Sequence, residues 1–125
     1  MNNAQQQARS QLESIVEMIA ALRTASNERE QETAQTRIQE DPLSIEIRSG
    51  WYQPGQRQAE PSEFQILLCT GGPAVRVVGE LSGDGEPEPS QIEFQDWFTP
   101  WEPLAEVTAD EADALREYCR QFYFA

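Results

Sequence analysis

The chain has 125 residues and carries 22 acids against 9 bases, a net charge of −13 at neutral pH. Every base is arginine; lysine and histidine are absent, which excludes histidine-dependent triads, imidazole zinc sites, lysine Schiff bases and P-loops. A surplus of this sign repels nucleic acid, phosphate-rich ligands and anionic membranes, so any partner gained by electrostatics is expected to be basic.

The N-terminal stretch Met1 to Gln7 is polar and lacks the apolar core of a signal peptide. Residues 4–25 read as an amphipathic helix. Ala8, Leu12, Ile15, Ile19 and Leu22 recur at alternating spacings of four and three, which is a heptad seam. The seam suits a helix docked on its own sheet, or a homodimer formed through Leu12, Ile15, Ile19 and Leu22. Residues 26–40 are good helix formers with only Ala34 and Ile38 to bury. Ser26 or Asn27 can cap a second helix there, or one helix can run through. Pro42 stops it in either case.

Alternation then sets in. Leu43, Ile45 and Ile47 alternate with Ser44, Glu46 and Arg48, as in a half-buried strand. Residues 52–62 form a polar loop with Pro54, Gly55 and Pro61. Residues 64–70 are apolar on both faces and predict a central strand, with Leu67 buried. Gly71-Gly72-Pro73 makes a tight connection to a strand over 74–81, in which Val77 is expected to be buried. Residues 82–89 read as a turn and acidic loop, 91–97 as a fourth strand, and 98–103 as an irregular aromatic segment. Thr108-x-x-Glu111 is a capping box that opens the last helix. Its expected apolar side is Ala112, Leu115, Cys119 and Phe122.

These elements predict one domain, 1–125, of α+β class: a helical segment over 1–41, then a four-stranded antiparallel sheet and a C-terminal helix over 42–125. Cys69 and Cys119 lie within apolar stretches with no CxxC or cysteine–histidine cluster, so they read as reduced, packed thiols. No apolar run approaches the roughly 18 residues of a membrane span, and a cytoplasmic protein is expected. No cofactor is predicted. The turn with Asp84, Glu86 and Glu88 lacks the EF-hand pattern, and no metal site is predicted.

Charge is distributed unevenly. Residues 80–125 hold twelve acids and two bases, whereas residues 1–79 hold ten acids and seven bases. On the last helix, Asp110, Asp113 and Glu117 fall within about 60° of one another at 100° per residue, and Glu106 precedes them. This acidic face is the first candidate interaction surface; Asp84, Glu86, Glu88, Trp97 and Trp101 are secondary candidates. The tryptophans neighbour Asp96 and Glu102 rather than bases, which favours packing or a protein interface over base stacking.

Arg48-Ser49-Gly50-Trp51, Leu68-Cys69-Thr70-Gly71-Gly72-Pro73-Ala74, Gln95-Asp96-Trp97-Phe98-Thr99-Pro100-Trp101 and Cys119-Arg120-Gln121-Phe122-Tyr123-Phe124 resemble stretches of small acidic proteins of proteobacterial phages and mobile elements, over roughly residues 41–124. The resemblance implies a setting rather than an activity. Phage-borne acidic proteins of this size include inhibitors of CRISPR and restriction systems, some of them DNA mimics. The expected function is therefore a non-enzymatic interaction protein. It would bind and occlude a basic nucleic-acid-handling protein without touching nucleic acid itself, as an anti-CRISPR or anti-restriction inhibitor. The alternative is a small accessory or structural domain whose acidity serves only solubility. A DNA mimic needs its acids on one contiguous surface without interleaved arginine.

Overall fold

The computed structural model describes residues 3–56 and 60–124. Met1 and Asn2 of the polar N-terminus, and residues 57–59 of the polar loop, lie outside the described residues. The chain is α+β. Helix α1 (Asn3–Arg23) is followed by α2 (Glu28–Glu40), strands β1 (Ser44–Ser49), β2 (Pro61–Cys69), β3 (Ala74–Leu81), β4 (Pro87–Gln95) and β5 (Glu102–Pro103), and helix α3 (Ala109–Cys119). The strands form one antiparallel sheet in the order β1-β2-β3-β4-β5. The sheet thus has a fifth, two-residue strand beyond the four expected, because Glu102 and Pro103 return alongside Phe94 and Glu93.

The continuous first helix does not form. The Asn27 side chain accepts from the Glu30 N–H at 2.9 Å, and Glu30 in turn accepts from the Ser26 N–H and hydroxyl at 2.8 Å. The Asn27 bond satisfies one first-turn donor of a new helix, and the Glu30 bonds fasten Ser26 ahead of the cap; together they turn the chain between Arg23 and Glu28. The second predicted cap forms as well: the Thr108 hydroxyl accepts from the Glu111 N–H, and the Thr108 N–H donates to the Glu111 carboxylate at 2.9 Å.

The heptad seam is consumed by the molecule's own core. Leu12, Ile15 and Ile19 are fully buried and Leu22 packs partly buried beside them, together with Ile38, Ile66, Val77, Ile92, Leu115 and Tyr118. A homodimer through Leu12, Ile15, Ile19 and Leu22 would have to open this core, so the seam offers a second copy no surface. Helices α1 and α3 lie side by side on one face of the sheet and contact it at β3 and β4. The buried side of α3 is Ala114, Leu115, Tyr118 and Cys119, while Ala112 is exposed. Tyr118 ties the helices to the sheet's entry, since its hydroxyl donates to Asp41 Oδ2 at 2.6 Å. Beyond α3, Phe124 packs on Phe64 with ring centroids 4.8 Å apart.

The strand alternation resolves into two unlike faces. Phe64, Ile66 and Leu68 of β2, Val75 and Val77 of β3, and Ile92 and Phe94 of β4 point into the helical layer and are buried. Leu67, expected inside, is half-buried on the opposite face, level with Arg76. Both faces of β2 look apolar in sequence, but only one is covered.

Candidate functional site

Among the described residues, no helix covers the face of the sheet away from α1 and α3, although Trp101 lies over Arg76 at its β4–β5 end. Partner residues in adjacent strands share a face, so the register places its side chains in rows. One row runs Arg48, Glu63, Glu80, Glu88 across β1 to β4. A second runs Glu46, Gln65, Val78, Gln91, and a third Ser44, Leu67, Arg76, Glu93, Pro103. A shallow groove of about 540 Å³ follows these rows, lined among others by Glu46, Arg48, Glu63, Arg76, Glu80 and Glu93.

The third row is internally satisfied. Arg76 Nε donates to Glu93 Oε1 at 2.7 Å, and Arg76 Nη1 donates to Gln65 Oε1 at 2.6 Å. Gln65 Nε2 passes the chain on to Glu46 Oε1 at 3.1 Å, and Gln91 donates to the second Glu93 oxygen. The Arg76 guanidinium lies 4.1 Å from the centroid of the Trp101 ring, a cation–π contact. Glu93 is the buried charged residue among those described; with its arginine and glutamine it is a structural clamp. Among the described residues, no second buried carboxylate accompanies it.

The first row differs. Arg48 pairs with Glu63 at its β1 end, but Glu80 and Glu88 face each other across β3 and β4, and among the described residues no arginine pairs with either. Three glutamates stand directly opposite one another on three adjacent strands, about 4.8 Å apart. Like charges so placed destabilise a sheet. The Glu80–Glu88 pair is therefore an electrostatic cost borne by the fold on this face.

The residues singled out from sequence scatter over other surfaces. Asp110, Asp113 and Glu106 are exposed, but Glu117 pairs with Arg120 at 3.2 Å, and Arg116 is exposed on the same helix. Arg120 also reaches Glu86 at 3.4 Å, and Arg9 bonds both Glu111, at 2.7 Å, and the Glu106 carbonyl, at 3.1 Å. The acidic stripe of α3 is thus interleaved and flanked by arginine, contrary to what a contiguous mimic surface needs. The Thr108 N–H, and after it Arg9, hold the Glu111 carboxyl below the usual carboxylate range. Asp84 lies in an exposed turn. Glu88, expected in the same loop, is instead in β4 on the open face, because β4 begins at Pro87. Trp97 is exposed in the turn after β4, with its indole packed over Gly72, where an added Cβ would meet Nε1 at 1.9 Å. Trp101 is half-buried and spent on Arg76.

Cys69 and Cys119 are both free thiols. Burial pushes the Cys119 thiol up to about 12 and raises that of Cys69 as well, the reverse of what a nucleophilic thiolate needs. Among the described residues, no three of the aspartate, glutamate and cysteine side chains converge as ligands for a metal ion, and no helix is long and apolar enough to cross a membrane.

Sequence reasoning missed Glu63 and Glu80. Their signal is the polar half of the strand alternation, which becomes a surface only once the register aligns three strands. Comparison with protein-family models, with curated proteins and with solved structures finds no match to this chain.

Proposed function

We propose that this chain is a non-enzymatic cytoplasmic interaction protein that binds a basic nucleic-acid-handling protein through its open sheet face and occludes that partner's groove. The setting drawn from the resemblance, a phage-encoded anti-CRISPR or anti-restriction inhibitor, is part of the proposal. One observation carries it: the Glu63–Glu80–Glu88 row on the open face, in which Glu63 is paired with Arg48 while Glu80 and Glu88 stand directly opposite each other. Arginine side chains of a partner would relieve that repulsion and bond carboxylates in the bidentate manner guanidinium favours. Rigid strands hold the carboxylates in place before binding, so little ordering cost remains. The site thereby moves from α3 to the sheet. The interleaved arginines of α3 favour a solubilising role for Asp110, Asp113 and Glu117, and that helix retains the accessory reading.

The test is calorimetric titration with a synthetic arginine-rich peptide, comparing two triple variants. Glu63→Gln/Glu80→Gln/Glu88→Gln should abolish binding with the fold intact, whereas Asp110→Asn/Asp113→Asn/Glu117→Gln should weaken it only slightly. Affinity should fall steeply with salt. Equal losses in the two variants would reduce the interaction to net charge. Full binding by the sheet variant would refute the site.

A further inference from the structure

Strand β1 is the edge of the sheet, and both its outer backbone and its helix-side face are uncovered. Ile45 and Ile47 pair with Ile66 and Phe64 and so belong to the core face, yet they remain 37% and 41% exposed. Leu43, at 59%, continues the same line, and Trp51 and Tyr52 follow the strand fully or largely exposed. Among the described residues, five of the eight exposed large apolar side chains therefore fall within residues 43–52. A six-residue edge strand with one exposed apolar face is a template for adding another strand, and proteins rarely leave one bare.

The phase of the ladder says which backbone groups are available. The Leu104 N–H donates to the Ile92 carbonyl, and hydrogen-bonding sides alternate along each strand. Carried through the registers of β4, β3 and β2, this phase turns Ser44, Glu46 and Arg48 toward β2. The N–H and C=O of Ile45 and Ile47 then point out from the sheet edge.

We infer that the occupant of this edge is a second copy of the chain, paired antiparallel through β1 about a two-fold axis at Ile47. The sequence of β1, Ser-Ile-Glu-Ile-Arg-Ser, is self-complementary in charge about that residue. With Ile47 opposite Ile47 of the other copy, each Glu46 lies opposite an Arg48 and each Ile45 opposite a Ser49. Both charged pairs then match across the axis, as an isologous interface requires. Leu43 of each copy comes level with Trp51 of the other, which gathers the exposed apolar residues of this segment into one seam. The alternative register centred on Glu46 sets two like charges face to face. The dimer makes one ten-stranded sheet and brings two copies of the open glutamate-bearing face onto the same side. It stands independently of that face's proposed partner.

Sedimentation equilibrium of the full chain, from low micromolar to near-millimolar concentration, tests the assembly. The wild type should show a monomer–dimer equilibrium. Arg48→Glu sets four glutamates at the axis and should raise the dissociation constant by more than about tenfold. Glu46→Arg/Arg48→Glu restores opposite charges across the seam and should return the constant close to wild type; far-UV dichroism checks that each variant is folded. Independently, Ile47→Cys in a Cys69→Ser background should cross-link two chains under mild oxidation, because the paired Cα atoms would lie about 5.5 Å apart, within disulfide reach. A chain that is monomeric at every concentration overturns the inference. So does a dimer that tolerates Arg48→Glu and fails to cross-link at position 47.

Discussion

The glutamate row makes a prediction about stability that needs no partner. Glu80 sits between Glu88 and Glu63, the latter paired with Arg48, so Glu80→Gln removes one like-charge contact in full and a second that Arg48 partly offsets, and keeps the side chain's length and shape. At about 5 Å, two unit charges repel by roughly 0.8 kcal/mol in bulk water and by more near a low-dielectric surface. Cross-strand pairs measured in sheets contribute about 0.2–1 kcal/mol each. One pair relieved in full and one in part should therefore stabilise the fold by about 0.5–2 kcal/mol, or several degrees in Tm for a chain of this size. Urea denaturation at neutral pH and low ionic strength measures it. In about 1 M salt, where the screening length falls to about 3 Å, most of the gain should vanish. Glu13→Gln, exposed on α1, changes net charge equally without touching the row and should gain much less. A Glu80→Gln protein no more stable than wild type, or a gain equal to that of Glu13→Gln, would show that the row carries no local strain. The argument for a binding face would fall with it.

Two further predictions concern pH. The Glu111 carboxyl is held low by the Thr108 N–H and Arg9, so its contribution is present above the unfolded pKa of about 4.3 and is lost as pH falls through the lower folded value. Glu111→Gln should cost about 0.5–1.5 kcal/mol at neutral pH, since glutamine still serves a capping box, and the difference from wild type should shrink steadily as pH falls below about 4.3 in parallel urea titrations. At the other limb, burial first and Asp41 second raise the Tyr118 phenol, and burial raises the Cys119 thiol to about 12. Unfolding lets both ionise, so stability should decline above about pH 8.5 for the thiol and above about pH 10 for the phenol. Tyr118→Phe loses the bond to Asp41 and should cost about 1–2 kcal/mol at pH 7, yet its stability should fall less steeply than wild type above pH 10. A parallel alkaline decline in the two proteins would contradict the assignment.

Much of the fold was legible because it rests on local rules. The capping box at Thr108 and Glu111 forms as read, because both partners lie within one helical turn. The heptad positions of α1 do face a core, since a period of seven marks an apolar stripe whatever covers it. The cover itself is a tertiary fact, and here it is the sheet rather than a second chain. Leu67 shows the same limit in a strand: an apolar run cannot say which face is covered. The last helix was misread at Ala112 because alanine marks no face strongly. Tyr118, whose hydroxyl finds Asp41 seventy-seven residues away, could not be recognised as core without that partner.

The candidate site was less legible for a reason particular to sheets. The sequence concentrates acid in residues 80–125, and on a helix the neighbours of a charge can be counted at three and four residues' distance. That arithmetic finds Asp110, Asp113 and Glu117. It misses Arg9, which arrives from α1 to hold Glu111 and the carbonyl of Glu106, and the reach of Arg120 to Glu86 in the β3–β4 turn. In a sheet the neighbours of a charge are set by register alone, and one residue of slip would send Glu63, Glu80 or Glu88 to the opposite face. The irregularity between Val78 and Gly79 shifts β4 by one residue against β3, so that Glu88 lies opposite Glu80. Without that shift the continued register would pair Glu80 with Pro89 and turn Glu88 to the covered side. Close approach at Gly79 permits this packing: a Cβ there would lie 2.3 Å from the Glu88 carbonyl oxygen, so glycine lets β4 cross with its glutamate on the open face.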